Sequence, residues 1–314
     1  MTAGGAEEIA TCFGLPDGAR FTGAAARGEQ GWIRQLATRA GLYAVKETFE
    51  PFGDEAAEDV AGFQEAAIHA GVPAPPVVRT PGGAAQAALA DGRTVRVYGW
   101  VEVGGPDPTV DAGAVGAALG RLHGAAHRGT AGEDVWYTDP VGADRWAELA
   151  GRYRTAGGAH AAAFAALVPE LVALEGLLTP PRTLATCHRD LWPDNVLPTA
   201  GGGLCVIDWD NAGLAGPEQE LAMLAFGFAT GDAGRVAALV AAYRDAGGPA
   251  SLTRAGDFSL AIAQLGHIGE MAISTWLDPA ESPEERRRQE PRIEEFVTLA
   301  LTRRTIEQIL AATA

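Results

Sequence analysis

Lysine is almost absent from this sequence. Of the 24 Lys and Arg residues in the 314-residue chain, only Lys46 is a lysine. The preference for Arg, together with abundant Ala and Gly, is typical of a high-GC genome, so a single lysine can be a matter of chance. It can also mark a site that needs a compact ammonium group, because the guanidinium of Arg is a broad planar fork. Composition alone leaves both interpretations open.

The sequence also has few cysteines, no long apolar run and an excess of negative charge. Cys12, Cys187 and Cys205 lack metal-site spacing and are expected to be reduced thiols of a cytoplasmic protein. No run of about 18 apolar residues predicts a membrane span, and the N-terminal residues do not resemble a secretory signal. The net charge of −16 argues against nucleic acid as a partner, because phosphate binding needs a basic face. It permits a cationic substrate, although acidic surfaces also serve solubility.

Residues 1–103 are expected to form a β-rich lobe. Short β-like runs are separated by glycine turns, and Asp91-Gly92 is typical of a hairpin. One helical segment ends before Gly71 and a proline-rich stretch. We therefore predict a five-stranded antiparallel sheet with one helix. The strands are Phe21–Ala26, Trp32–Thr38, Leu42–Thr48, Ala85–Leu89 and Thr94–Val101, and the helix is Glu55–Ala70.

Residues 104–314 are expected to form a larger, mainly helical lobe. Helical patterns cover Val115–Ala126, Asp144–Arg154 and Ala159–Leu178, and an apolar strand, LCVIDWD, follows the glycines at 201–203. The predicted fold class is therefore α+β, with two lobes and a cleft between them. Such a junction is a common place for a ligand site.

One polar loop and one strand end carry residues suited to chemistry. His188-Arg189-Asp190 is followed by Asn195, and Asp208 ends the apolar strand that comes next. Phosphoryl transfer needs a carboxylate near the attacking hydroxyl, oxygen ligands for Mg²⁺ and a cation on the phosphates. Single residues of this kind often belong to an ordinary polar turn. The complete pattern favours phosphoryl transfer.

The segments HRDLWPDNVL and VIDWDNAG resemble the catalytic loop and metal-binding segment of aminoglycoside phosphotransferases and their choline- and homoserine-kinase relatives. The resemblance implies a bilobal protein-kinase-like fold, with ATP or GTP as co-substrate and Mg²⁺ as cofactor. It also implies that Asp190 is the catalytic base and that Asn195 and Asp208 are metal ligands. It extends to VGAALGRLHGAA and to GPEQELAML, where Glu220 stands in place of the family's usual Asp.

The resemblance gives the single lysine a role. Lys46 lies in the strand YAVKETF, at the position whose lysine holds the α- and β-phosphates in the family. Gly28 and Gly31 lie in the segment that resembles the nucleotide-covering turn. Glycines there would let backbone amides approach the phosphates, although GxxG is also common in plain hairpins.

The family also has a carboxylate on the following helix that holds this lysine. Helical periodicity places Asp59 on the buried face with Phe63, so Asp59 is the predicted partner of Lys46. Glu55 and Glu58 are alternatives, because Asp is shorter than the family's usual Glu. A solvated helix start, favoured by the helix dipole, would explain most of these carboxylates as well.

The connector VRVYGWVEV is expected to pair with the purine through the backbone of Gly99 and Val101, although it can equally be a core strand. The acceptor is expected near Trp192 in the catalytic loop. It is also expected near a C-terminal segment, HIGEMAISTWLDP, where the family places acceptor-binding helices. The candidates there, which a solvated helix end would explain equally, are Glu270, Trp276 and Asp278.

These features predict a small-molecule kinase that moves the γ-phosphate of ATP or GTP to a hydroxyl group with the help of Mg²⁺. The expected acceptor is an antibiotic of the aminoglycoside type, which implies resistance or self-protection. The alternative is a primary metabolite such as an amino alcohol, homoserine or an amino sugar. A non-catalytic nucleotide-binding protein is less well supported, because the complete set of site residues is present. A protein kinase is disfavoured, since no Asp-Phe-Gly or Ala-Pro-Glu segment follows.

Overall fold

The N-terminal part of the chain is built around a six-stranded antiparallel sheet. The computed structural model describes residues 3–28, 31–50, 52–129, 132, 134–298 and 300–313. The strands are β1 (Arg20–Arg27), β2 (Gly31–Thr38), β3 (Gly41–Thr48), β4 (Val77–Val78), β5 (Ala87–Ala88) and β6 (Thr94–Gly99). Their order is β1-β2-β3-β6-β4, and β5 also pairs with β6.

Two features of this part differ from the sequence-based expectation. The five expected strands are present, and β4 adds a sixth inside the proline-rich stretch, where two residues pair with β6. A helix that was not expected, α1 (Ala3–Cys12), precedes the sheet, and the expected one is α2 (Asp54–His69). Two glycines weaken the helical signal of α1. The helix is stabilised because Ile9 packs into the core beneath the sheet, a tertiary contact that a local pattern cannot reveal.

The two faces of the sheet have different surroundings. Val45 on β3 and Val97 on β6 are register partners and lie in the apolar core with α1. The next register pair is Lys46 and Arg96, and the alternation of side chains along a strand turns it to the opposite face. Both side chains are buried. The sheet therefore brings the chain's single lysine and an arginine together on the face away from α1.

The rest of the chain is mainly helical. Its helices are α3 (Ala112–His123), α4 (Val135–Thr138), α5 (Ala143–Thr155), α6 (Ala161–Glu175), α7 (Pro217–Ala229), α8 (Ala233–Asp245), α9 (Ser259–Leu277), α10 (Pro283–Thr298) and α11 (Arg303–Thr313). The three helices expected from the sequence correspond to α3, α5 and α6. Helix α3 packs so closely along α8 that a Cβ at Gly116 would collide with the Leu239 carbonyl. No helix in the described part of the chain is both long and apolar enough to cross a membrane.

Two short two-stranded sheets flank the loop and the strand end that carry the candidate residues. They are β7 (Ala185–Cys187) with β10 (Gly213–Ala215), and β8 (Val196–Pro198) with β9 (Leu204–Val206). The loop at 188–195 connects β7 to β8. A 3₁₀ turn, Trp209–Asn211, lies between β9 and β10. The expected strand LCVIDWD is shorter than its sequence pattern, because the backbone turns at Asp208, where φ is 57°.

Candidate active site

Two residues of the candidate site have strained backbones. Among the described residues other than glycine, only Arg189 and Asp208 have positive φ angles, at 65° and 57°. Such angles cost free energy for a residue with a Cβ, and they cluster at functional sites. Buried Glu220 stabilises the backbone of Arg189, because its Oε1 accepts a hydrogen bond from the Arg189 N–H at 2.5 Å. Arg189 Nε donates to the Asn211 carbonyl at 2.6 Å, which ties the loop to the 3₁₀ turn.

A buried chain of hydrogen bonds supports the loop from behind. His123 Nε2 lies 2.8 Å from Glu220 Oε2, and the Tyr243 hydroxyl lies 2.9 Å from His123 Nδ1. His123, Glu220 and Cys187 form a group of three potential metal ligands, whose ligand atoms lie within 4.8 Å of one another. Both oxygens of Glu220 and both ring nitrogens of His123 already have hydrogen-bond partners. We therefore assign this cluster to holding the loop rather than to binding a metal.

His188 braces the loop against the segment after β9. Its side chain is fully buried, Nε2 donates to the Ile207 carbonyl oxygen at 3.1 Å, and its ring centre lies 4.8 Å from that of Trp209. Burial lowers the pKa of His188, and the opposing effect of nearby carboxylates such as Glu220 is smaller. A neutral, buried ring suits a bracing role rather than that of an acid or a base.

Amide groups surround the carboxylate of Asp190. Oδ2 accepts hydrogen bonds from Asn195 Nδ2 at 2.9 Å and Asn211 Nδ2 at 3.0 Å, and Oδ1 accepts one from Gln264 Nε2 at 3.0 Å. A carboxylate can accept about four hydrogen bonds, so Oδ1 keeps a place for one more donor. Burial raises the pKa of Asp190 to about 7, although the amide donors oppose the increase. Such a group can exchange a proton near neutral pH, as a general base requires.

Asn195 and Asp208 offer the oxygen atoms that a metal would need. Asn195 donates through Nδ2 to the carbonyl and the carboxylate of Asp190, which leaves its Oδ1 as the ligand atom. The Ile207 N–H donates to the Asn195 carbonyl at 2.9 Å and keeps the Asp208 segment beside the loop. The Asp208 side chain is 40% exposed and therefore accessible. An amide oxygen and an accessible carboxylate are hard ligands, so these residues fit Mg²⁺.

Lys46 reaches the same place from the sheet. Its Nζ donates to Asp208 Oδ1 at 2.5 Å and lies 2.8 Å from Asp210 Oδ2. Arg96 binds both carboxylate oxygens of Asp210, each at 2.6 Å. Burial would lower the pKa of Lys46, but the charges of Asp210 and Asp208 outweigh it and raise this pKa. The lysine therefore stays charged beside the predicted metal ligand.

The predicted pair between Lys46 and a carboxylate of α2 is not formed among the described residues. Asp59 faces inward, as the helical periodicity indicated, but its Oδ1 lies 2.9 Å from His127 Nε2. Glu58, one of the alternatives, pairs with Arg79. The reason is tertiary, because the segment after α3 places a histidine against this face of α2. Periodicity predicts which face is buried but not what covers it.

The glycines of the predicted covering turn lie at the end of the β1–β2 hairpin. The Gly28 N–H donates to the Gly31 carbonyl at 2.9 Å, while residues 29 and 30 lie outside the described part of the chain. A Cβ on Gly31 would collide with the Glu47 carbonyl of β3. Gly31 is thus required by the close approach of two strands. Contact of either glycine with phosphates stays a prediction.

The sheet uses part of the backbone that was predicted to bind the purine. The Gly99 N–H donates to the Pro76 carbonyl at 2.8 Å, and the Trp100 N–H donates to the Leu42 carbonyl at 3.1 Å. Pro76 has no N–H to return a hydrogen bond to Gly99. A Cβ on Gly99 would lie 3.1 Å from Pro76 Cδ, so glycine is also favoured by packing. The Gly99 carbonyl and the backbone of Val101 are therefore the groups that can pair with a purine.

Two of the four residues predicted to bind the acceptor lie nearer to the loop than the others. Trp192 is in the loop itself and packs edge-on against Phe226, with ring centres 6.3 Å apart. Glu270 on α9 pairs with Arg145, whose Nη2 lies 2.5 Å from its Oε1. The charge of Glu270 is therefore already compensated within the protein.

Trp276 and Asp278 lie at the far end of α9. Trp276 packs against Tyr153, with ring centres 4.9 Å apart, in a core formed with α5, α6 and α10. Asp278 ends the helix and accepts the Ala280 N–H at 2.8 Å. With a rise of about 1.5 Å per residue, Trp276 is roughly 18 Å along the axis from Gln264, which contacts the predicted base. The structure thus places both residues away from that carboxylate, where packing and helix termination account for them.

The fold brings four further residues to the site, which the sequence patterns had not indicated. Asp210 and Asn211 come shortly after the predicted metal ligand Asp208, so their position was a signal that could have been used. Arg96 stands between two valines of β6, and a charge inside an apolar strand was a second signal. Gln264 had no such signal, because it is one of several polar residues in α9, far along the chain from the loop it contacts.

Comparisons with known proteins identify the fold and the family. A profile of the phosphotransferase enzyme family (APH) matches residues 25–255. Spectinomycin phosphotransferase APH(9)-Ia, solved with ADP and spectinomycin, aligns with a TM-score of 0.69 at 14% identity, over 99% of this chain and 98% of its own. Amicoumacin kinase hAmiN, solved with AMP-PNP and Ca²⁺, aligns with a TM-score of 0.62 at 14% identity, over 94% of this chain and 92% of its own. A microcompartment-associated aminopropanol kinase aligns with a TM-score of 0.57 at 16% identity, over 99% of this chain and 98% of its own. No curated protein matches the sequence.

At these identities the solved structures establish the fold alone. They confirm the predicted α+β, protein-kinase-like architecture, with an antiparallel sheet followed by many helices. The family profile covers more than half of the chain and confirms the resemblance found in the catalytic loop. The chain therefore belongs to the phosphotransferase enzyme family.

Proposed function

We propose that this chain transfers the γ-phosphate of ATP or GTP to a hydroxyl group of a small molecule in a reaction that depends on Mg²⁺. The observation that carries the proposal is the convergence of Asp190, Lys46 and the oxygen ligands Asn195 and Asp208. These residues come from the sheet, the loop after β7 and the turn after β9. Phosphoryl transfer is catalysed mainly by positioning and charge stabilisation, so these groups suffice for it.

In this proposal Asp190 accepts the proton of the acceptor hydroxyl on Oδ1. Amide donors occupy the other hydrogen-bonding places of the carboxylate, so the hydroxyl donates to the one that is left. As the hydroxyl oxygen bonds to the γ-phosphorus, the bond from that phosphorus to the β-phosphate oxygen breaks. The nucleoside diphosphate leaves with the electron pair, and Asp190 takes the hydroxyl proton. A pKa of about 7 suits this exchange near neutral pH.

In this proposal the phosphates are held by cations. Mg²⁺, when bound, neutralises charge on the phosphate oxygens. Asn195 and Asp208 would hold the ion through oxygen atoms, and Lys46 would bind the α- and β-phosphates as a compact point charge. Asp59 has no place in this arrangement, because it pairs with His127.

We place the nucleotide between two lobes, residues 1–103 and 104–314. The purine pairs with the Gly99 carbonyl and the Val101 backbone, in keeping with the hydrogen bonds that the sheet leaves unused at Gly99. The hairpin turn with Gly28 and Gly31 covers the phosphates. Three free cysteines are in keeping with a reducing, cytoplasmic location.

We propose an antibiotic as the acceptor, which would make the chain a resistance or self-protection enzyme. Two similar structures are enzymes named for spectinomycin and amicoumacin, both antibiotics. The net charge of −16 favours a cationic substrate through long-range attraction. A metabolite such as an amino alcohol is the second candidate, supported by the aminopropanol kinase that aligns over 99% of this chain.

A coupled assay of nucleoside diphosphate formation tests the proposal. The purified chain is incubated with Mg²⁺ and either ATP or GTP, against a panel of aminoglycosides, other antibiotics, amino alcohols, homoserine and amino sugars. We expect nucleoside diphosphate to form only with one class of acceptor, and its formation to stop when a metal chelator is added. Mass spectrometry should then show an acceptor product that is heavier by one phosphate group. Nucleotide binding without turnover of any acceptor would favour the non-catalytic alternative. Turnover that persists undiminished in Asp190→Asn would contradict the assigned base.

A further inference from the structure

Lys46 and Arg96 form a pair of buried cations on one face of the sheet. They are register partners on β3 and β6, so their side chains leave the sheet side by side. Only 7% of Lys46 and 3% of Arg96 is exposed to solvent. Two buried like charges need a carboxylate between them, because an uncompensated buried charge is strongly destabilising. Asp210 lies within ion-pair distance of both.

Asp210 is held more firmly than its neighbour Asp208. Its side chain is 3% exposed, against 40% for Asp208. Arg96 binds its two oxygens in parallel at 2.6 Å each, a bidentate geometry that restricts the carboxylate to one orientation. The guanidinium carbon of Arg96 lies 4.4 Å from the ring centre of Phe52, which supports the arginine from its other side.

The 3₁₀ turn that carries Asp210 is itself packed against two other elements. Trp209, in the same turn, packs edge-on against Phe63 of α2, with ring centres 5.5 Å apart. It also packs on His188 of the catalytic loop at 4.8 Å. The turn therefore fixes Asp210 relative to α2, to the loop and, through Arg96, to the sheet.

We propose that Asp210, held by Arg96, is the residue that positions Lys46 for the nucleotide phosphates. The inference rests on the proposed function and deepens it. Asp208 is the proposed ligand of Mg²⁺, and sharing its carboxylate with the ion would weaken its hold on the lysine. Asp210 is then the carboxylate that keeps Lys46 in place, at 2.8 Å. It performs the task expected of Asp59, and it acts through Lys46 without touching the nucleotide or the metal.

A double-mutant cycle on nucleotide affinity tests this inference. Asp210→Asn and Lys46→Met are made singly and together, and each is titrated calorimetrically with Mg²⁺ and a non-hydrolysable ATP analogue, and in parallel with the GTP analogue. With Lys46 present, we expect Asp210→Asn to raise the Kd about tenfold, roughly 1.4 kcal/mol. In the Lys46→Met background the same change should alter the Kd less than about twofold, because the residue through which Asp210 acts is gone.

Asp257→Asn is the matched control. Asp257 lies on a second 3₁₀ turn, Ala255–Phe258, just before α9. It is also fully buried and pairs with two arginines, Arg182 and Arg254. We expect it to lower the melting temperature and leave the Kd unchanged. Equal losses of affinity from Asp210→Asn in both backgrounds, or none in either, would overturn the inference. A Lys46→Met variant that binds nucleotide as tightly as the wild type would instead contradict the phosphate role in the proposed function.

Asp210→Glu keeps the inference testable if the Asn variant does not fold. It preserves the charge that Arg96 needs but moves the carboxylate by one methylene. We expect a Kd about threefold higher with Lys46 present, roughly 0.6 kcal/mol, and no change in the Lys46→Met background. A shift of the same size without the lysine would assign Asp210 to the metal, the nucleotide or the fold, and would overturn the inference.

Discussion

Gln264 on α9 donates a hydrogen bond from Nε2 to Oδ1 of Asp190 over 3.0 Å, which joins the longest described helix to the catalytic loop. Gln264 is 2% exposed, so the packing of α9 fixes this contact. The bond orients the oxygen that accepts the proton in the proposed reaction. It also lowers the pKa of Asp190, against the larger effect of burial, which raises it.

Removal of this donor should slow the reaction and shift its pH dependence. In Gln264→Ala we expect kcat to fall about tenfold, because Oδ1 loses its orientation, while the Kd for Mg²⁺·nucleotide stays unchanged. The pKa of Asp190 should rise, because the ionised carboxylate loses a donor. The acid limb of the profile of kcat/KM against pH should therefore move to higher pH. Gln289→Ala is the control, since Gln289 is also buried but contacts Glu285 on α10. An acid limb that stays in place would show that Gln264 contributes packing alone.

Asp190→Asn should remove the base and keep the shape of the site. We expect kcat to fall by about 10²-fold or more, because the amide cannot take the hydroxyl proton. Nucleotide affinity should be nearly unchanged. The wild-type rate should increase as the pH rises through about 7, where Asp190 loses its proton, and the residual rate of the variant should not. More than a tenth of the wild-type kcat in the variant would contradict the assignment.

Asp208→Asn should weaken productive binding of the metal and nucleotide together. In the proposed function the accessible carboxylate would supply a charge that neutralises the cation, and an amide would not. We expect a higher Kd for Mg²⁺ with a non-hydrolysable nucleotide, measured by calorimetry, and a higher Mg²⁺ concentration at half-maximal rate. Titration of nucleotide without metal is the control. Equal affinity of variant and wild type with Mg²⁺ would show that Asp208 is only a carboxylate at a strand end.

Lys46→Arg should impair the enzyme although it conserves charge. The broad guanidinium cannot occupy the place where Nζ lies between Asp208 and Asp210. We expect the nucleotide KM to rise or kcat to fall at least about tenfold, roughly 1.4 kcal/mol, with a melting temperature close to that of the wild type. An amine-reactive nucleotide analogue should label Lys46 in the wild type, and Mg²⁺·ATP should protect it. Full activity of the variant, together with labelling of Lys46 that Mg²⁺·ATP does not reduce, would show that the single lysine reflects composition alone.

Local spacing explains why the sequence indicated that the polar groups of the loop at 188–195 lie close together. Asp190 and Asn195 share one short loop, so the sequence alone already places them near each other. The long strands β1, β2 and β3 and the helix α2 were predicted for the same reason, since alternation and helical period act between near neighbours. α1 and the two-residue β4 escaped prediction, because each depends on packing or pairing with distant strands.

The sequence by itself determined that this chain has the loop, strand end and lysine of a phosphotransferase, because those motifs are short and contiguous. Only the tertiary structure decided which carboxylate faces Lys46. Periodicity favoured Asp59, and folding placed His127 against Asp59 and Asp210 against the lysine. Only the tertiary structure, likewise, brought Gln264 to Asp190. Contacts between residues so far apart depend on how whole elements pack together, and no periodicity within one element carries that information.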